Sequence, residues 1–230
     1  MRRIRMSTAL LGIAATLGAA AASGQQPPEE RIPPFAKTVE VHPGLPPLEI
    51  RVIPAAASED PKAPLGRIEI SRQDDPAPFQ TITVTGEGYP LHLTFSEFED
   101  ANFDGYTDLL LCNRGGAKWG GYAIYFYDPV SGTFVQNGLS REMSERLQGN
   151  GLEFDRATGE IRVAHLVFGC PEKVPVSETY VIEGDHLRRT GLEDLLRGED
   201  GCYRVTRRIL PGGALREVSR QRAPDRDRDE

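Results

Sequence analysis

An all-β fold of antiparallel short strands, propeller-like or made of stacked sheets with one or two short helices, is the class this sequence predicts. Short runs rich in Val, Ile, Thr, Tyr and Phe recur along the chain, separated by clusters of Pro, Gly and Asp. One turn motif occurs twice: Tyr127-Asp-Pro-Val-Ser-Gly132-Thr-Phe134 and Phe154-Asp-Arg-Ala-Thr-Gly159-Glu-Ile161. Both read aromatic–Asp–x–x–Ser/Thr–Gly–x–apolar. The glycine supplies a positive φ and the Asp bonds the turn backbone, so each joins two short strands as a hairpin. Recurrences of this kind suit a modular β-architecture.

In order, the predicted strands are Leu48 to Ile53, Arg67 to Ser71, Gln80 to Val84, Leu91 to Phe95 and Asp108 to Cys112. Tyr122 to Tyr127 and Thr133 to Gln136 follow, then Ile161 to Phe168, Ser177 to Glu183, Tyr203 to Ile209 and Leu215 to Ser219. Glu183-Gly184-Asp185-His186 reads as a third hairpin turn. Leu139, Met143 and Leu147 recur at four-residue spacing and predict a short helix, with Gly191 to Leu196 a weaker candidate for a second.

The ends read differently. Residues 1–22 form a signal peptide: Arg2, Arg3 and Arg5 make a positive n-region, and a small apolar run leads to Ala20-Ala-Ala22. That run is too short to span a membrane, and no later stretch qualifies. Residues 23–36 read as a Pro-rich linker, 37–220 as a single all-β domain and 221–230 as a charged, disordered tail. The expected location is the bacterial periplasm or the medium. Loss of the three leader arginines takes the formal charge from −7 to about −10. Acidity at that level disfavours nucleic acid and anionic surfaces and favours basic partners.

Asp100-Ala-Asn102-Phe-Asp104-Gly105-Tyr106-Thr-Asp108 carries the strongest chemical signal. Side-chain oxygens at positions one, three, five and nine, with glycine at six, are the spacing of a calcium loop. Asp100, Asn102, Asp104 and Asp108 offer side-chain oxygens and Tyr106 its backbone carbonyl, so Ca2+ is the expected cofactor. Position twelve is Leu111 instead of glutamate, and Leu109-Leu110-Leu111-Cys112 reads as a buried strand in place of an exit helix. The loop thereby resembles the strand-flanked loops of FG-GAP and related secreted β-proteins.

Three cysteines allow one disulfide in an oxidising compartment. Cys170 and Cys202, each beside a glycine or proline, are the expected pair, with Cys112 left as a buried thiol. No CxxC, HExxH, GxSxG or phosphate-binding glycine loop occurs, and the four histidines are scattered, so no enzyme is expected. The glycine-rich stretch Asn113 to Gly121 holds the single tryptophan, and Lys118 with Trp119 is the expected partner-binding pair.

Phe98 to Val135 resembles a bacterial periplasmic family of calcium-binding immunity proteins associated with type IV secretion. Those proteins are related in fold to inhibitors of invertebrate-type lysozyme. The matching elements are Asp100 to Leu109, Asn113 to Gly121, Tyr122 to Tyr127 and Asp128 to Phe134. The resemblance implies a propeller-like all-β fold and a calcium role for Asp100, Asn102, Asp104, Tyr106 and Asp108. As a fold-level analogy, it also implies inhibition of a peptidoglycan hydrolase, a basic lysozyme-like partner. The alternative is a structural or adhesive FG-GAP-like calcium module that binds an envelope component.

Overall fold

The computed structural model describes residues 34–55, 64–85, 96–114, 121–149, 151–165, 173–199 and 201–223. The expected leader, linker residues 23–33, the strand at Leu91–Phe95, Lys118, Trp119, Cys170 and tail residues 224–230 lie outside them.

Among the described residues the chain forms fourteen strands and one helix, in three open antiparallel sheets with no closed barrel. The first sheet is the meander β1 (Phe35–Val39), β2 (Leu48–Pro54), β3 (Gly66–Arg72) and β4 (Asp75–Val84). Period-two patterning sets its faces: Ile50 and Val52, Ile68 and Ile70, and Ile82 and Val84 are buried. On the opposite face Glu69 pairs with Arg67 at 2.8 Å and with Arg51 at 3.7 Å.

The second sheet is β5 (Glu97–Glu99), β6 (Asp108–Arg114), β7 (Gly121–Asp128) and β8 (Thr133–Val135). Leu109, Leu110 and Leu111 of β6 are all 0 % exposed, which a strand achieves only when both faces are covered. Leu109 and Leu111 pack with the first sheet, alongside Tyr127 and Phe134. Leu110, Ile124 and Phe126 pack the other way, against the helix and the third sheet. The second sheet is therefore the middle layer of a stack. Burial of each such leucine contributes roughly 2 kcal/mol.

Helix α1 (Gly138–Arg146) uses the expected stripe, with Leu139, Met143 and Leu147 buried between the second and third sheets. Asn137 caps it, accepting from the Ser140 amide at 2.9 Å while Ser140 Oγ accepts from the Asn137 amide at 2.8 Å. No helix among the described residues is long and apolar enough to cross a membrane.

The third sheet runs β9 (Gly151–Asp155), β10 (Glu160–Ala164), β11 (Lys173–Glu183), β12 (His186–Gly198), β13 (Gly201–Ile209) and β14 (Leu215–Arg222). The second helix expected over Gly191–Leu196 is a strand: β12 pairs with β11 on one side and β13 on the other. Two ladders outweigh a weak local helical period there. At the ends, β1 begins at Phe35, inside the stretch read as linker, and β14 reaches Arg222 in the stretch read as tail.

The twin motifs fold alike. Gly132 and Gly159 both have φ of 68°. Each donates its N–H at 2.8 Å, to the carbonyls of Asp128 and Asp155 respectively. Asp128 Oδ1 accepts from Val130 N–H at 3.0 Å, and Asp155 Oδ1 from Ala157 N–H at 2.9 Å. Both carboxyls also accept a hydroxyl at 2.7 Å, from Ser131 and Thr158, and lie below the ordinary aspartate range, chiefly for that reason.

Candidate metal centre

Residues 100–107 connect β5 to β6, closing a pairing in which Glu99 faces Asp108. Local side-chain chemistry folds this connection. Asp100 Oδ1 and Asn102 Oδ1 both accept from the Asp104 N–H at 3.1 Å, and Asp100 Oδ2 accepts from the Gly105 N–H at 3.0 Å. Asp104 Oδ1 takes the Tyr106 N–H at 2.9 Å, and its Oδ2 takes the Asn102 side-chain amide at 2.9 Å. The bonds from Asn102 to Asp104 and from Asp104 to Tyr106 are successive Asx turns, the preference of Asn and Asp for bonding backbone two residues on. Phe103 and Gly105 occupy the left-handed region with φ of 62° and 92°, so the chain coils tightly around the side chains of Asp100, Asn102 and Asp104.

Asp108 stands apart from its neighbours. It is 0 % exposed, and its two oxygens accept from the Ala101 N–H at 2.9 Å and the Tyr127 N–H at 2.8 Å. Burial pushes its carboxyl up to about 7; the two amides oppose that rise, and the nearby charges of Asp104 and Asp100 add to it.

The loop touches all three layers. Thr107 donates its N–H to the Val41 carbonyl at 2.8 Å and its hydroxyl to the Glu40 carbonyl at 3.2 Å. The Tyr106 ring lies 4.8 Å from His42 and 5.7 Å from Tyr127. On the other side Phe103 meets Phe154 edge-on at 6.5 Å, and Arg156 sits 3.6 Å from Asp100 Oδ2. Sequence reasoning missed Arg156. Its one signal was membership of the second twin turn, which the fold brings over the loop.

The donor chemistry fits a hard divalent cation, since carboxylate and amide oxygens are what calcium takes. As the side chains stand, no group of three or more His, Cys, Asp or Glu among the described residues is placed to hold a metal ion. The reason is visible in the bonding: Asp108 is turned to Ala101 and Tyr127, while Asp100, Asn102 and Asp104 bond the loop backbone.

The loop expected to bind a partner leaves the sheet after Arg114 and returns at Gly121, which face each other across β6 and β7. Lys118 and Trp119 themselves lie outside the described residues. Near that return is a cleft of about 370 Å³ whose lining includes Thr83, Tyr122, Tyr125, Gln136, Ser144 and Gln148. Tyr122 donates its hydroxyl to Glu97 at 3.1 Å, and burial, followed by that carboxylate, raises its phenol above the ordinary range. Cys112 is a buried thiol outside any disulfide.

No family model matches the chain, and no curated protein does. One solved structure is similar. It is a Xanthomonas type IV secretion system related protein, 16 % identical, aligned over 82 % of this chain and 100 % of its own with a TM-score of 0.46. A likeness at that level carries neither an activity nor a partner to this chain.

The buried carboxylate makes a direct prediction. In Asp108→Asn one acceptor becomes an amide donor facing a backbone N–H, leaving a buried donor unsatisfied. Unfolding free energy should fall by about 1–3 kcal/mol, read as a lower urea midpoint at unchanged slope. An unaltered midpoint would show that the two amide contacts do not hold the loop.

Proposed function

We propose that this is an exported, non-catalytic calcium-binding β-protein that binds and inhibits another protein, a peptidoglycan hydrolase of basic, lysozyme-like character. The observation that carries the metal half is the loop itself: consecutive Asx turns gather Asp100, Asn102 and Asp104 around positive-φ positions at Phe103 and Gly105. Calcium in such a loop would neutralise carboxylates that otherwise repel one another. Asp100, Asn102, Asp104 and the Tyr106 carbonyl would hold it, with Asp108 contributing through lone pairs its two amide contacts leave over. The partner half rests on the resemblance over Phe98–Val135, on the acidic charge and on the rooting of the glycine-rich loop in the buried middle sheet. The Cys170–Cys202 disulfide belongs to the same reading. Its support is that Cys112 is a buried thiol outside any disulfide.

Calcium should raise the melting temperature over that in chelator, because a ligand bound only by the folded state stabilises it by mass action. Asp104→Ala should remove most of the gain. Equal melting in calcium and chelator refutes the metal assignment. Mixed with a lysozyme-type muramidase, the protein should form a stable 1:1 complex and suppress hydrolysis. Trp119→Ala should then cost at least about 2 kcal/mol of binding with little change in melting temperature. A stable complex that leaves the muramidase active would favour the adhesive-module alternative, and lost stability with intact affinity would make Trp119 a fold residue. Non-reducing peptide mapping should return a linked Cys170–Cys202 peptide, and a linked Cys112 peptide would overturn the pairing.

A further inference from the structure

The outer face of the third sheet carries an arrangement that neither calcium nor the partner loop uses. One row of cross-strand neighbours reads Glu153, Arg162, Thr179, Gly191, Arg208, Arg216 from β9 to β14. The residues along this face are short near its centre, with Ser177, Thr179, Gly191 and Thr206 forming the floor of an open trough of about 540 Å³. Glu193 lies in that floor, paired with Arg204 at 3.1 Å and Arg162 at 3.6 Å, so the charges of the middle are engaged with one another.

The two ends are not. At the β13–β14 end Arg208 stands directly opposite Arg216, and at the β9–β10 end Glu160 stands directly opposite Asp155. Like charges placed opposite in a sheet oppose pairing. Arg208, Arg216 and Glu160 are exposed, and none of the three is in an ion pair with another described residue. A solvated sheet face gains nothing from sorting its charges in this way. A ligand with a positive and a negative end would relieve both pairs at once.

The spacing sets the ligand's size. Glu160 and Arg208 are three strands apart and offset by two residues along the strand, about 16 Å at 4.8 Å per strand and 3.3 Å per residue. An extended chain of about five residues spans that distance. We propose that this trough binds a short extended peptide, its free amino terminus at Glu160, beside an Asp155 carboxyl already held in its hairpin turn, and its free carboxylate at Arg208 and Arg216. The threonine and serine hydroxyls of the floor face its backbone, and no side-chain pocket selects sequence. Gly191 has a separate role in keeping the floor open, because a Cβ there would come within 3.2 Å of Thr179 Cβ and Oγ1.

The test is calorimetric titration of the full chain with a five-residue glycine/serine peptide carrying free termini. N-acetylated, C-amidated and doubly capped forms are titrated beside it. Capping either end should weaken binding by about tenfold. In R208Q/R216Q the free and amidated peptides should bind equally, while sensitivity to acetylation remains. Glu160→Gln should do the reverse. Because all three side chains are exposed and each variant removes a repulsion between opposed like charges, none should melt below the parent, which separates lost binding from lost fold. Equal binding of the doubly capped peptide, or no heat with the free peptide at millimolar concentration, overturns the proposal.

Discussion

The carboxylate of Asp108 is the point on which the stack depends. It begins an inner strand of the middle sheet, is wholly buried, and accepts one amide from the loop before it and one from the strand beside it. A buried acceptor with two backbone donors ties two chain segments that share no ladder at that point. Its cost is desolvation, which lifts its affinity for a proton to neutrality. A hydrophobic residue in its place would leave the Ala101 and Tyr127 amides without partners inside the protein.

Around that group the loop serves as a fastening between layers. Contacts from Thr107 and Tyr106 reach the segment at residues 40–42 beside the first sheet, whereas Phe103 reaches β9 and Asp100 the β9–β10 turn of the third. The second sheet, with leucines on both faces, supplies the apolar surface against which the outer sheets pack. Apolar packing and the loop's polar contacts therefore fix the same arrangement twice, through unrelated forces.

Much of this was legible wherever the physics is local. Asx turns and the left-handed glycines follow from neighbouring residues, so the loop and both twin hairpins could be read from their motifs. The Leu139, Met143, Leu147 stripe disclosed the helix for the same reason, and three consecutive leucines told of a buried strand. What escaped depends on strands far apart in the chain. Arg156 meets Asp100 only because a turn of the third sheet arrives over the loop. The strand β5 is three residues long with a glutamate at each end, too short to show a period. Gly191 to Leu196 has weak local preference, which two flanking ladders override. The opposed arginines and opposed acids of the third sheet follow from register, which no single strand encodes.

Within each sheet every described strand pairs only with its neighbours in sequence, and the middle layer lies between an earlier sheet and a later one. That order has a consequence for a chain emerging end-first from the ribosome. The first two sheets can close upon each other as soon as β8 is made, since all the residues of their shared core have by then been synthesised. The second face of the middle sheet, with Leu110, Ile124 and Phe126, then waits for α1 and for β10 to β12. During that interval the nascent chain carries an uncovered apolar surface, so its danger of clumping is greatest halfway through synthesis and ends when the third sheet is laid down.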